Sequence, residues 1–95
     1  MRPYELMYLL PPTADEERLG AVSERLQHAV TNLGGKIDKV TPPARRRLAY
    51  ELAHHRDGHY GVLEFSLPPE QAREFERTIR LTEDILRHIV VRRDE

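Results

Sequence analysis

At 95 residues the chain has the length of one domain with a modest core, and its formal net charge of −1 argues against a general polyanion binder. Cysteine is absent, which excludes disulfides, thiolate nucleophiles and cysteine-held zinc, and fits a reducing compartment. No apolar run approaches the ~20 residues of a membrane span, and Met1-Arg2-Pro3-Tyr4-Glu5 lacks the apolar core of a signal peptide, so the chain reads as cytoplasmic.

Tyr4 to Leu10 alternates Tyr4, Leu6, Tyr8 and Leu10 with Glu5, Met7 and Leu9, the pattern of a strand whose first face packs on helices. Pro11-Pro12 ends it, because proline cannot donate to a ladder. Thr13-Ala14-Asp15-Glu16 reads as a capping box opening a helix. Its stripe is Leu19, Val22, Leu26, Ala29, Val30 and Leu33, and Gly34-Gly35 supplies the stop. Lys36 to Thr41 begins a second strand, which Pro42-Pro43 interrupts and the arginine run and Leu48-Ala49-Tyr50-Glu51-Leu52 resume, as in a long strand with a bulge or break at the prolines.

A polar tip, His54-His55-Arg56-Asp57-Gly58-His59, carries the Asp-Gly hairpin signal. The third strand runs from Tyr60 to Leu67, with Leu63, Phe65 and Leu67 on one face and Tyr60, Val62, Glu64 and Ser66 on the other. Pro68-Pro69-Glu70 opens a second helix with the apolar stripe Ala72, Phe75 and Ile79, ending near Leu81 or Thr82. Arg87 to Arg93 forms the fourth strand; Ile89-Val90-Val91 makes it apolar on both faces, as in the centre of a sheet.

This order predicts an α+β, ferredoxin-like split β-α-β sandwich spanning residues 1–95, with four antiparallel strands and two helices on one face. Met7, Leu9, Tyr60 and Val62 fall on the face the helices leave open.

The charges are unevenly placed. All but Lys36 and Lys39 of the 15 basic residues are arginine. Acids crowd the helices, while Arg2, Arg45, Arg46, Arg47, Arg87, Arg92 and Arg93 fall at strand ends, so a near-neutral chain can carry a basic sheet margin. The adjacent Arg45-Arg46-Arg47 admits two readings: a phosphate contact suited to the planar guanidinium fork, or a solvated run that blocks edge-to-edge pairing. Arg18, Arg25, Arg73, Arg77 and Arg80 stand among helical acids and read as solvated i,i+4 partners.

Enzyme chemistry finds little support: there is no phosphate-cradling glycine loop, no nucleophile-elbow serine, and no carboxylate pair in an apolar setting. His54, His55 and His59 cluster near Asp57 at a hairpin tip, where the fixed geometry a metal demands is hard to hold. Neither a metal nor another cofactor is expected. Gly58-His59-Tyr60-Gly61-Val62-Leu63-Glu64-Phe65 lacks the basic-Gly-aromatic pattern of base-stacking RNA motifs, which leaves arginine contact with the backbone of structured RNA.

Four blocks taken in order, Arg2-Pro3-Tyr4-Glu5, Arg46-Arg47-Leu48-Ala49-Tyr50, Gly58-His59-Tyr60 and Leu86-Arg87-His88-Ile89-Val90-Val91-Arg92, resemble the bacterial small-subunit ribosomal protein S6 family. That resemblance implies the split sandwich and a structural role in the small ribosomal subunit. It further implies binding of central-domain small-subunit ribosomal RNA together with ribosomal protein S18 as a heterodimer. By position it makes Arg2, Tyr4, Arg45, Arg46, Arg47, Arg87, Arg92 and Arg93 candidates for RNA contact, with Tyr4 equally placed for the core. Met7, Leu9, Leu48, Tyr50, Tyr60 and Val62 become candidates for the protein partner. Pro43-Ala44 stands where many members carry Trp-Gly. Outside this family, the same fold could serve as a small-molecule regulatory module.

Overall fold

The computed structural model describes residues 1–45 and 58–94. Strand β1 is Arg2–Leu10, helix α1 Glu16–Asn32, β2 Lys36–Arg45 and β3 His59–Leu67. A single 3-10 turn, Pro69–Gln71, leads into helix α2, Ala72–Arg80, and β4 is Arg87–Arg92. The sheet order is β2-β3-β1-β4, with every neighbouring pair antiparallel. β1 and β2 therefore run parallel with β3 between them, and β3 and β4 run parallel with β1 between them. That is the interleaved pair of β-α-β units expected of the ferredoxin-like sandwich.

Side-chain alternation explains the core. Tyr4, Leu6, Tyr8 and Leu10 of β1 and Leu63, Phe65 and Leu67 of β3 meet Val22, Leu26 and Val30 of α1 and Phe75 and Ile79 of α2 in one buried cluster. Both helices therefore cover the same face of the sheet. Phe65 is its hinge-pin: its ring stacks on Tyr4 at 5.6 Å and meets Phe75 edge-on at 4.8 Å. Gly61 lies opposite Tyr8 in the register, and a Cβ there would collide with the Tyr8 ring, so glycine is what lets that ring lie across β3.

Helix α1 starts later than the capping box implies. Pro11-Pro12 directs the chain into a turn closed by the Ala14 N–H on the Pro11 carbonyl (3.1 Å). Thr13 is spent in that turn, and Asp15 becomes the cap, its Oδ1 accepting from the Arg18 N–H at 2.9 Å. At the other end Gly34 adopts φ +83°, and the Gly35 N–H closes on the Val30 carbonyl at 2.9 Å.

The prolines do not end β2. The strand continues to Arg45, with one register shift between Thr41 and Ala44 that accommodates Pro42-Pro43 and another around Asp38. β2 lies at the sheet edge, where missing proline donors cost little. At the position of the Pro43-Ala44 departure, Pro43 is buried and Ala44 pairs with Tyr60.

β4 is an edge strand as well, not a central one. Val90 packs on the core, but Ile89 and Val91 are 37% and 47% exposed on the face without helices. Apolar residues on both faces here mark an uncovered surface. None of the helices is long and apolar enough to cross a membrane among the described residues.

Candidate nucleic-acid interface

The strand register sorts the candidate arginines into two groups. Arg2 begins β1 and Arg92 ends β4 opposite Tyr4, so these two share one end of the sheet. Arg87 lies opposite Leu9, and Arg45 opposite His59, at the other end. The ends are separated by the length of β1 from Arg2 to Leu9, about 23 Å at ~3.3 Å per residue. Within the second group Arg45 and Arg87 occupy opposite edges, three strand spacings or about 14 Å apart. Arg46 and Arg47 follow Arg45 directly in sequence and lie outside the described residues.

The Arg87 side chain is exposed and has no hydrogen bond or ion pair with any described residue. Arg92 is engaged by Asp94, Nε to Oδ1 3.3 Å, on the helix-covered side of the strand.

Arg93 is placed differently from its candidacy. It extends across the open face and is held on every side: Nη2 to Asp38 Oδ2 at 2.6 Å, Nη1 to Glu64 Oε1 at 3.1 Å, and Nε to the Tyr4 carbonyl at 3.0 Å. Ser66 Oγ also donates to Asp38 Oδ2 (2.9 Å), and the Arg93 N–H closes on the Pro3 carbonyl (3.0 Å). One guanidinium thus links the C-terminal segment to β1, β3 and β2. With its fork already answered by carboxylates, it acts as a clasp across the sheet.

Tyr4 too is corrected. It is 7% exposed and stacks in the core, because its alternation with Leu6 and Tyr8 turns it toward the helices.

The candidate protein-binding face is only partly open. Leu9 and Tyr60 are cross-strand partners and form a second buried cluster, with Met7 packed against it. Tyr60 is 1% exposed. Met7 and Gly58 lie against the pair. Met7 and Val62, the next pair along, are half-buried. Leu48 and Tyr50 lie outside the described residues.

The helical arginines divide in two. Arg80 pairs with Glu76 at i,i+4 (3.4 Å) and Arg77 with Glu74 at i,i+3 (3.8 Å). Arg18 instead reaches Asp84 at 3.4 Å, and Arg25 Nε donates to Thr82 Oγ1 at 2.9 Å, tying α1 to the segment between α2 and β4. His88 stands 3.3 Å from Glu76 Oε2, packed between strand and helix. His59 Nδ1 lies 3.3 Å from the Pro11 carbonyl, while His54 and His55 are outside the described residues. Among the described residues no three His, Asp or Glu gather as a metal-holding group.

Sequence reasoning missed the clasp. Its signal was present in part: Glu64 alternates onto the open face, and Arg93 does so by parity with Ile89 and Val91. The strand order and the irregularity at Asp38 were needed to bring the three together.

Comparison with known proteins gives a consistent picture. A family model described as ribosomal protein S6 matches residues 3–92. The chain is similar to small ribosomal subunit protein bS6 of Carboxydothermus hydrogenoformans, 38% identical over 95 residues that span 100% of this chain and 99% of the relative. Its structure resembles that of 30S ribosomal protein S6 from Thermotoga maritima, with a TM-score of 0.85, 33% identity, and coverage of 98% of this chain and 88% of that one. The P2 domain of the chemotaxis kinase CheA from Thermotoga maritima has a TM-score of 0.61 at 10% identity, covering 96% of each chain, and so shares the fold alone.

Proposed function

The chain belongs to the ribosomal protein S6 family, and on that premise we propose that this small-subunit ribosomal protein binds small-subunit ribosomal RNA in its central domain. It does so as a heterodimer with ribosomal protein S18 and without catalysis.

Arg87 is the observation that carries the reading. It is exposed, has no acidic partner among the described residues, and stands at the sheet end that also holds Arg45 and the start of the arginine run. Arg46, Arg47, Arg2 and Arg92 extend the proposed contact. A guanidinium offers phosphate two parallel donors, and contacts of this kind position the protein on RNA without reading sequence.

A net charge of −1 leaves little general attraction for RNA, which is why a protein partner is needed to raise affinity. For that partner the half-buried Met7 and Val62, with Leu48 and Tyr50, form the proposed apolar contact. Leu9 and Tyr60 support it from below.

The test is binding of a central-domain RNA fragment across a salt series, with and without S18. Partner-dependent binding that weakens with salt, and that Arg87→Ala or Arg46→Ala with Arg47→Ala weakens further, is the expected result. No binding in the presence of S18 at low salt would overturn the proposal.

A further inference from the structure

The outer edge of β4 brings together three features that the RNA reading does not use. The first is an unpaired ladder. The Arg93 N–H bonds inward to Pro3, which sets the alternation, so the backbone groups of His88 and Val90 point outward, away from β1. No described strand pairs with that edge.

The second is an apolar recess on the helix side of the same strand. A cavity of about 120 Å³ opens between α2 and β4, lined by Tyr4, Phe65, Ala72, Phe75 and Val90 together with the charged Glu76 and Arg92. A cavity of about 150 Å³ is enough to hold one benzene, so this one suits a single aliphatic side chain. The third lies on the opposite side of β4, where Ile89 and Val91 are exposed.

Side chains of an added strand alternate between faces. One therefore enters the recess while its neighbours lie over Ile89 and Val91, and the main chain completes the ladder. We infer that β4 is a docking edge for an extended, acid-flanked apolar segment of a partner protein, anchored by one aliphatic side chain in the α2–β4 recess.

Charge sets what flanks the occupant. β4 carries Arg87, His88 and Arg92 and no acid, so the strand itself offers only basic charged side chains to a segment that pairs with it. A segment with an acid near the exposed Arg87 and apolar residues beyond it meets the edge with opposite charge there, whereas Arg92 is already paired with Asp94. This edge is distinct from the Met7 and Val62 contact proposed for S18, and the inference does not depend on that contact.

The experiment titrates the full ¹⁵N-labelled chain with three blocked peptides of alternating valine, leucine and threonine. One is flanked by aspartates, one by lysines, and one carries aspartates and a central proline. The expected result is saturable shifts and slowed exchange of the His88 and Val90 amides with the first peptide, at least ten-fold weaker with the other two. Ala72→Met, which fills the recess, and Val91→Thr, which removes the exposed apolar contact and leaves the core untouched, should each weaken binding at least three-fold. Shifts confined to Met7 and Val62, equal binding of all three peptides, or no binding of the first would overturn the inference. So would protection of His88 and Val90 that rises with protein concentration and tracks a dimer in sedimentation, because the occupant would then be a second copy.

Discussion

Arg93 and Arg87 bracket the same short strand, project to the same face of the sheet, and have opposite fates. Arg93 is met by Asp38 and Glu64 from two other strands and by the Tyr4 carbonyl. Arg87 lies beside Leu9 and Tyr60, an apolar pair with no charge to offer, and stays exposed. The difference is a matter of what the register brings opposite, not of the arginines themselves. A guanidinium facing carboxylates becomes part of the fold, whereas one facing an apolar pair is left for a ligand.

The comparison can be stressed from its foundation outward. Phe65→Ala has the largest expected effect. It removes the ring between Tyr4 and Phe75 and leaves a cavity under the strands that the clasp spans, at a cost of about 3–5 kcal/mol by denaturant unfolding. Arg93→Ala comes next. It strands Asp38 and Glu64 together without their cation, but these side chains are about a quarter exposed and water recovers part of the loss. Charge-assisted hydrogen bonds discounted for that screening give about 1–2 kcal/mol, with the thermal midpoint lowered and RNA binding unchanged below it. Asp15→Ala tests a site remote from both arginines: losing the cap on α1 costs about 1 kcal/mol and leaves RNA binding alone. Arg87→Ala has the smallest effect on stability, within about 0.5 kcal/mol, since no described residue depends on it. It is nonetheless the variant of the four that should weaken RNA binding.

Much of the fold was legible because alternation and punctuation agreed. Tyr4, Leu6, Tyr8 and Leu10 fall on the core face as period-two spacing requires, and the stripe of α1 and the stop at Gly34 stand where the sequence puts them. What failed depended on contacts distant in sequence. Thr13 looks like a cap until the Pro11 carbonyl draws Ala14 into a turn. Ile89-Val90-Val91 looks central because composition cannot distinguish a face buried by a neighbouring strand from one left uncovered. For the site, the positions of arginine at strand ends were readable, but their accessibility was not. Arg93 and Tyr4 changed roles through residues far along the chain, and Leu9 with Tyr60 closed part of a face that alternation alone leaves open.

The most direct measurement is the salt dependence of central-domain RNA binding, in the presence of S18, for the unaltered chain, Arg87→Ala and Arg93→Ala, each at a temperature where it is fully folded. Losing one phosphate contact lowers the slope of log affinity against log salt by about 1. The account predicts that loss for Arg87→Ala and an unchanged slope for Arg93→Ala. An unchanged slope for Arg87→Ala, or a loss for Arg93→Ala as large as that expected of Arg87→Ala, would contradict the division of labour between the clasp and the exposed arginine.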